Sequence, residues 1–228
     1  MNSLPVATPV NRAFRFYDAT IGKKAVMAAT GVILFAFVLG HLAGNLQIFE
    51  GREKINAYGV FLQGLPGMLW TARLVLLTSV ILHIVASIQL ARLNAAARPV
   101  KYVKTDRSHS SYASRTMMWS GPIIAAFIVF HILHFTLGTV HPNFQQGDIY
   151  SNVVLGFQQI PVSLAYIFAM LLLGQHLYHG VYSMFQSLGA AHPSYTPWLK
   201  RAAAVFALVV VVGNCSIPIA VMTGWLHL

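Results

Sequence analysis

Residues 160–186 read IPVSLAYIFAMLLLGQHLYHGVYSMFQ, with no Asp, Glu, Lys or Arg among them. A helix needs about 20 predominantly apolar residues to cross a hydrocarbon core of roughly 30 Å, and this stretch exceeds that length. Its apolar residues do not alternate, which fits a helix with every backbone hydrogen bond made internally rather than a strand. Two histidines, His176 and His179, nevertheless lie within it. An ionisable group at membrane depth is costly and is a functional hypothesis by default, so the stretch that reads as a membrane span also asks what its histidines do.

Outward from it, four further runs have the same character: Ala25–Phe49, Gly67–Leu90, Met117–Val140 and Ala202–Trp225. With Ile160–Gln186 as the fourth in order, they predict an all-α membrane protein of five transmembrane helices in one bundle, spans I to V. The chain is 57% hydrophobic and 9% charged, with a mean hydropathy of +0.64, whereas an ordinary soluble domain carries about 25% charged residues. Residues 1–20 contain no apolar run of the signal-peptide kind. Residues 1–24 are therefore expected to form a cytoplasmic N-terminal segment, and 25–226 a single membrane domain without internal repeats.

The formal net charge is +10, but its distribution argues against nucleic acid. Arg12, Arg15, Lys23 and Lys24 precede span I, six basic residues from Arg92 to Arg115 separate spans II and III, and Lys200 and Arg201 precede span V. The opposite connections hold only Arg52 and Lys54, offset by Glu50 and Glu53. The positive-inside rule then places the N-terminus in the cytoplasm of a bacterial cell and, after five crossings of the inner membrane, the C-terminus outside. The loop 91–116 is cytoplasmic, and 50–66 and 141–159 are external; a short interfacial helix ended by Gly64 and Pro66 is expected in the first of these. The tryptophans Trp70, Trp119, Trp198 and Trp225 fall near span ends, as interface anchors do.

Six of the ten histidines fall within spans: His41 in I, His83 in II, His131 and His134 in III, and His176 and His179 in IV. Depth sorts them. Counted from the basic residues at the cytoplasmic ends, His41 and His131 rise roughly 26 and 24 Å and share one level, whereas His134 rises roughly 29 Å and matches less well. His83 and His176 lie roughly 14 and 15 Å from the inner end and define a second level. Two imidazoles at one depth on different helices can grip a flat macrocycle from both faces, and two such pairs describe two stacked haems. Covalent attachment needs C-x-x-C-H, which the single Cys215 does not supply, so the haems would be of b type. With both axial positions filled, electron transfer is the expected chemistry. Zinc fits less well, because each level offers two good ligands rather than three or four. Small residues beside the histidines, Gly40, Ala43 and Gly44, Ala86 and Ser87, Gly174 and Gly180, would clear a porphyrin face or simply allow close helix packing. His134 and His179 each follow a proposed ligand by three residues on nearly the same face, placing them to meet a haem propionate, a quinone oxygen or another helix.

Taken together, GHLAGN (40–45), LHIVAS (82–87), YASRTMMWSG with FHILHFT (112–121 and 130–136) and GQHLYHGVYSMFQSLG (174–189) resemble the single-chain, di-haem cytochrome b558 membrane-anchor subunits of succinate dehydrogenase and fumarate reductase. The resemblance implies haem ligands His41, His83, His131 and His176, with His83 and His176 at the proximal haem and His41 and His131 at the distal one. It implies a flavoprotein subunit and an iron-sulfur subunit as partners, and membrane quinone as electron acceptor or donor. The chain would then belong to a succinate:quinone oxidoreductase without itself holding a dicarboxylate site. In one respect the chain departs from some fumarate reductases of this type, which carry a glutamate where Gly174 stands; proton movement would have to use water, histidine or an edge carboxylate such as Glu50. Arg73, the one cation predicted inside a span, is expected to snorkel to the outer surface or to pair with a distal propionate. Asn45 and Gln47 at the outer end of span I are interfacial or could bond a quinone carbonyl. Two readings remain beside this one. A di-haem cytochrome b of another quinone-linked dehydrogenase would share the ligands, and a haem-free transporter would use the histidines as a relay.

Overall fold

The computed structural model describes residues 16–97 and 112–228. The basic residues Arg12, Arg15, Arg98, Lys101, Lys104 and Arg107, on which the expected orientation partly rests, lie outside them. Among the described residues the elements follow in the order α1 (Thr20–Asn45), a 3-10 turn (Leu46–Glu50), α2 (Arg52–Gln63), α3 (Pro66–Ala96), α4 (Tyr112–His131) continued by a π turn (Ile132–Thr136), α5 (Ile149–Gln158), α6 (Ile160–Ser187) and α7 (Thr196–Met222). Five of these helical stretches are long and apolar enough to cross a membrane: Thr20–Glu50, Pro66–Ala96, Arg115–Thr136, Ile160–Ser187 and Thr196–Met222. The fold is an all-α, multi-pass membrane protein.

Local chemistry sets the helix ends. Pro66 opens α3, and Pro161 and Pro197 lie in the first turns of α6 and α7, where a missing N–H costs nothing because it has no intrahelical partner. Pro122 and Pro218 lie inside α4 and α7, as membrane helices tolerate when neighbours satisfy the freed carbonyls. At the N-terminal end of α1, Lys23 turns toward the chain and donates to the backbone carbonyls of Tyr17 and Asp18, 2.9 and 2.8 Å away, while the Tyr17 hydroxyl donates to Gln89 on α3.

One expectation requires correction. Span III was expected to reach Val140, but its helix ends at Thr136. The turn widens there, with Leu137 N–H bonding back to Ile132 C=O at 2.9 Å. Gly138 then takes φ +70°, pressed against the Phe144 ring, so the apolar residues Leu137 and Val140 belong to a turn. The segment 141–159, a connection between spans in the sequence reading, contains α5. Asp148 caps that helix by accepting from Ser151 N–H at 3.2 Å, and its buried face carries Ser151, Asn152, Val154, Gly156 and Phe157.

Packing concentrates in two places. α6 lies along α7, and α1 along α3, with α4 on α6 and α1 also meeting α6 and α7. At the end of the bundle remote from Lys23, α2 and α5 close over the helices, and Ile48, Ile55, Val154, Phe157, Tyr166, Ile217 and Val221 form one buried cluster there. An ionic latch holds the two cap helices together, in which Asp148 accepts from Arg52 and from Asn56 Nδ2 while Asn56 Oδ1 accepts from Tyr150 N–H. The outward surfaces of α3, α4 and α7 are apolar and exposed, with Leu74, Leu77, Ile81, Val129, Val205 and Leu208 among them, as a lipid-facing surface requires.

Candidate cofactor site

Four helices bring their histidines together in two pairs. His41 of α1 faces His131 of α4 with ring centroids 5.8 Å apart, and His83 of α3 faces His176 of α6 at 6.3 Å. The helices whose histidines meet are not the helices that pack closely: neither α1 with α4 nor α3 with α6 forms an extended seam, whereas α1 with α3 and α4 with α6 do. The imidazoles therefore reach toward each other across gaps between helices.

Several features test whether these residues fit a haem. Imidazoles on opposite sides of one metal, each bonded through a nitrogen at ~2 Å, put their ring centroids roughly 6 Å apart, close to both observed separations. The tautomer of His83 can be deduced. Thr30 Oγ1 has one proton and gives it to the backbone of its own helix, with Val26 C=O at 2.8 Å and Met27 C=O at 3.1 Å. Its oxygen also lies 3.1 Å from His83 Nδ1, so Nδ1 must donate. Nε2 is then bare, the form a metal ligand requires. His131 Nδ1 is likewise engaged, 3.3 Å from the Tyr166 hydroxyl. His176 Nδ1 is buried without a hydrogen-bond partner among the described residues, and His41 stacks on Phe37 at 5.2 Å.

The glycines divide into two groups. A Cβ added at Gly40 or Gly180, each beside a paired histidine, meets nothing within 4 Å, and at Gly31 it meets only His83 Cε1, at 3.7 Å. At Gly44 it would lie 2.7 Å from the Tyr58 ring, and at Gly174 it would collide with Val211. Gly44 and Gly174 thus serve helix packing, whereas Gly31, Gly40 and Gly180 leave room where a macrocycle beside the ligands needs it. The donor set, the spacing and the open flanks fit a b-type haem at each level.

The remaining candidates are placed differently. His134 is 1% exposed and shares with His131 the side that faces α6, since both imidazoles reach the Tyr166 hydroxyl, but it is not the ring that faces His41. It stacks between Phe130 at 5.4 Å and His141 at 4.9 Å, and its Nδ1 lies 3.1 Å from Tyr166 Oη. His141 has a fixed tautomer, since its Nδ1 accepts from Asn143 N–H and its Nε2 therefore donates to Asn152 C=O at 2.8 Å. His179 is half-buried beside His176 on α6. Arg73 is exposed and lies over the Trp70 ring, 5.1 Å from its centroid, an interfacial posture. Sequence reasoning passed over Thr30, Gly31, Tyr166 and His141. Thr30 lies eleven positions before His41 and carries no motif, and Tyr166 is one of nine tyrosines with no sequence signal linking it to a histidine on another helix.

The molecule is thus defined as a multi-pass helical membrane protein with its intramembrane histidines paired across the bundle. The family model for the succinate dehydrogenase/fumarate reductase transmembrane subunit matches residues 92–214, more than half of the chain, and the chain belongs to that family. It is a membrane subunit of such a complex, associated with that complex's other subunits. The matched stretch includes His131, His134, His176 and His179, while His41 and His83 lie before it. No curated protein and no solved structure matches the chain.

Proposed function

We propose that this chain is the di-haem cytochrome b anchor of a succinate:quinone oxidoreductase, carrying electrons between the iron-sulfur subunit and membrane quinone. The observation that carries the proposal is the assembly of four helices' histidines into two facing pairs with centroid separations of 5.8 and 6.3 Å. His83 and His176 would hold the inner, proximal haem, and His41 and His131 the outer, distal one. When bound, the haems supply one-electron redox chemistry at two depths of the bilayer.

The chain's own residues supply alignment and insulation. Thr30 holds His83 in the tautomer that presents Nε2, and Tyr166 engages Nδ1 of His131. Phe37 and Phe127 lie against His41 and His131, giving the outer pair apolar aromatic neighbours. The basic residues before α1, between α3 and α4, and before α7 support a cytoplasmic N-terminus in a bacterial cell by the positive-inside rule. The flavoprotein and iron-sulfur subunits would dock on that side, where cationic side chains can orient an approaching partner.

Extraction and quantification of haem from the purified complex tests this reading. Two non-covalently bound b haems per copy of this chain are expected. A well-folded complex without b-type haem would overturn it in favour of a histidine relay, and co-purification with hydrogenase or formate dehydrogenase subunits would reassign the partners.

A further inference from the structure

One buried group joins the outer histidine pair to the cap. Tyr166 of α6 is 6% exposed, and its hydroxyl lies 3.3 Å from His131 Nδ1 and 3.1 Å from His134 Nδ1. Its ring is fixed by near-perpendicular contacts with Phe127 and Phe157, each at 4.9 Å. A phenol has one proton to donate and two lone pairs to accept with, so the three groups constrain each other. A histidine that binds iron through Nε2 carries its proton on Nδ1, and that proton's acceptor is then the Tyr166 oxygen. The phenol proton is directed to His134 Nδ1, its nearer partner, which places the His134 proton on Nε2. That nitrogen is buried and has no partner among the described residues. It sits against Gly156 of α5, where a Cβ would lie 3.2 Å from it and 2.9 Å from Cε1.

We infer that Tyr166 is the positioning residue of the outer haem ligand: it accepts the His131 Nδ1 proton, passes its own to His134, and so sets the tautomer, ring orientation and basicity of an iron ligand on α4 from a neighbouring helix. This rests on the di-haem reading above. The inner pair receives the same service from Thr30, within the α1–α3 seam. Tyr166 stands on α6, the helix that also carries His176 of the inner pair, so α6 ties the two levels together. His134 acts in turn as the group that orients the phenol, which gives a physical role to the second histidine of FHILHF (130–135) and explains its close burial against Gly156.

An imidazole whose Nδ1–H is accepted by an oxygen is a stronger donor to iron and favours the ferric state. Replacing Tyr166→Phe removes only the hydroxyl and leaves the ring contacts in place. In redox-titrated absorption spectroscopy of the intact complex, the outer haem should remain bound but become easier to reduce, its oxidised-to-reduced ratio at a fixed poise falling roughly fivefold, as loss of one hydrogen bond implies. The inner haem should titrate unchanged, and the low-spin ferric resonance of the outer haem should shift. If the phenylalanine variant fails to assemble, site-specific 3-fluorotyrosine at 166 keeps the hydroxyl and its size while weakening the oxygen as an acceptor, and should move the same haem in the same direction by less. Two b haems present with a Tyr166→Phe titration and resonance superimposable on the unaltered complex would overturn the inference while leaving the di-haem reading intact. A complex without two b haems would overturn the reading itself.

Discussion

The two histidine pairs differ in how they are held. The inner pair, His83 and His176, stands in a lightly supported part of the bundle, with one hydroxyl, that of Thr30, fixing one ring and His176 Nδ1 without a partner. The outer pair, His41 and His131, abuts a dense aromatic cluster of Phe127, Phe130, Phe135, Tyr166, His134 and His141. That cluster lies under the helical cap α2 and α5. The same imidazole chemistry is thus embedded in two ways, and under the proposed di-haem reading the difference bears on redox tuning. A ligand's basicity and the surrounding dielectric are the protein's levers on a haem potential, and the outer site has more of both to adjust.

Perturbations of this contrast should range from loss of a cofactor to a local change in stability. His131→Ala should abolish the outer haem, while His134→Ala should retain it with a shifted potential; the reduced-minus-oxidised difference spectrum separates the two outcomes, and retention of the outer haem in His131→Ala would invert the assignment within FHILHF. The glycines come next. Gly40→Leu should leave an assembled complex with depleted outer haem, whereas Gly156→Ala forces a methyl against the boxed His134 ring and should lower stability by about 1–3 kcal/mol, read as thermal denaturation in detergent. Thr30→Val should keep the inner haem bound but ease its reduction by the equivalent of one hydrogen bond, about 1 kcal/mol, with the outer haem serving as the internal control.

The smallest effect concerns the cap. Burial alone would raise the Asp148 carboxyl, but hydrogen bonds from Asn56, Ser151 and Arg52 outweigh it and hold the group down at about 2. Because that is below the ~3.9 of an unfolded aspartate, the latch contributes its full stability above pH ~4 and loses it as the pH falls through about 2. Asp148→Asn keeps a capping oxygen but removes the charge that pairs with Arg52, and should cost about 0.2–1 kcal/mol at neutral pH, as loss of an exposed ion pair does. Its denaturation curve should approach that of the unaltered chain in acid, and a difference that does not shrink between pH ~4 and ~2 would contradict the assignment.

Much of this architecture was legible in the residues. Spans of the necessary length announce themselves by composition, and a helix rises so regularly that counting from basic residues sorted His41 with His131 and His83 with His176 by level. What could not be read depends on departures from that regularity or on contacts between distant residues. The π turn at Ile132–Thr136 ends span III early, and no residue type marks it. α5 is short, and its buried face mixes Ser151, Asn152 and Gly156 with Val154 and Phe157, so its apolar signal is weak. Gly44 and Gly40 look equivalent in GHLAGN; only the position of Tyr58 shows that one is packed and the other open. Thr30 and Tyr166 become meaningful once the neighbouring helix is in place.

The central claim is that four histidines act as two pairs, and the most direct measurement is redox-titrated absorption spectroscopy of the four complexes carrying His41→Ala, His83→Ala, His131→Ala and His176→Ala. The account predicts two classes of spectrum: His41→Ala and His131→Ala retaining the inner haem alone, and His83→Ala and His176→Ala the outer haem alone. Residual spectra grouped in any other way, such as His41→Ala sharing its surviving haem with His176→Ala, would contradict it.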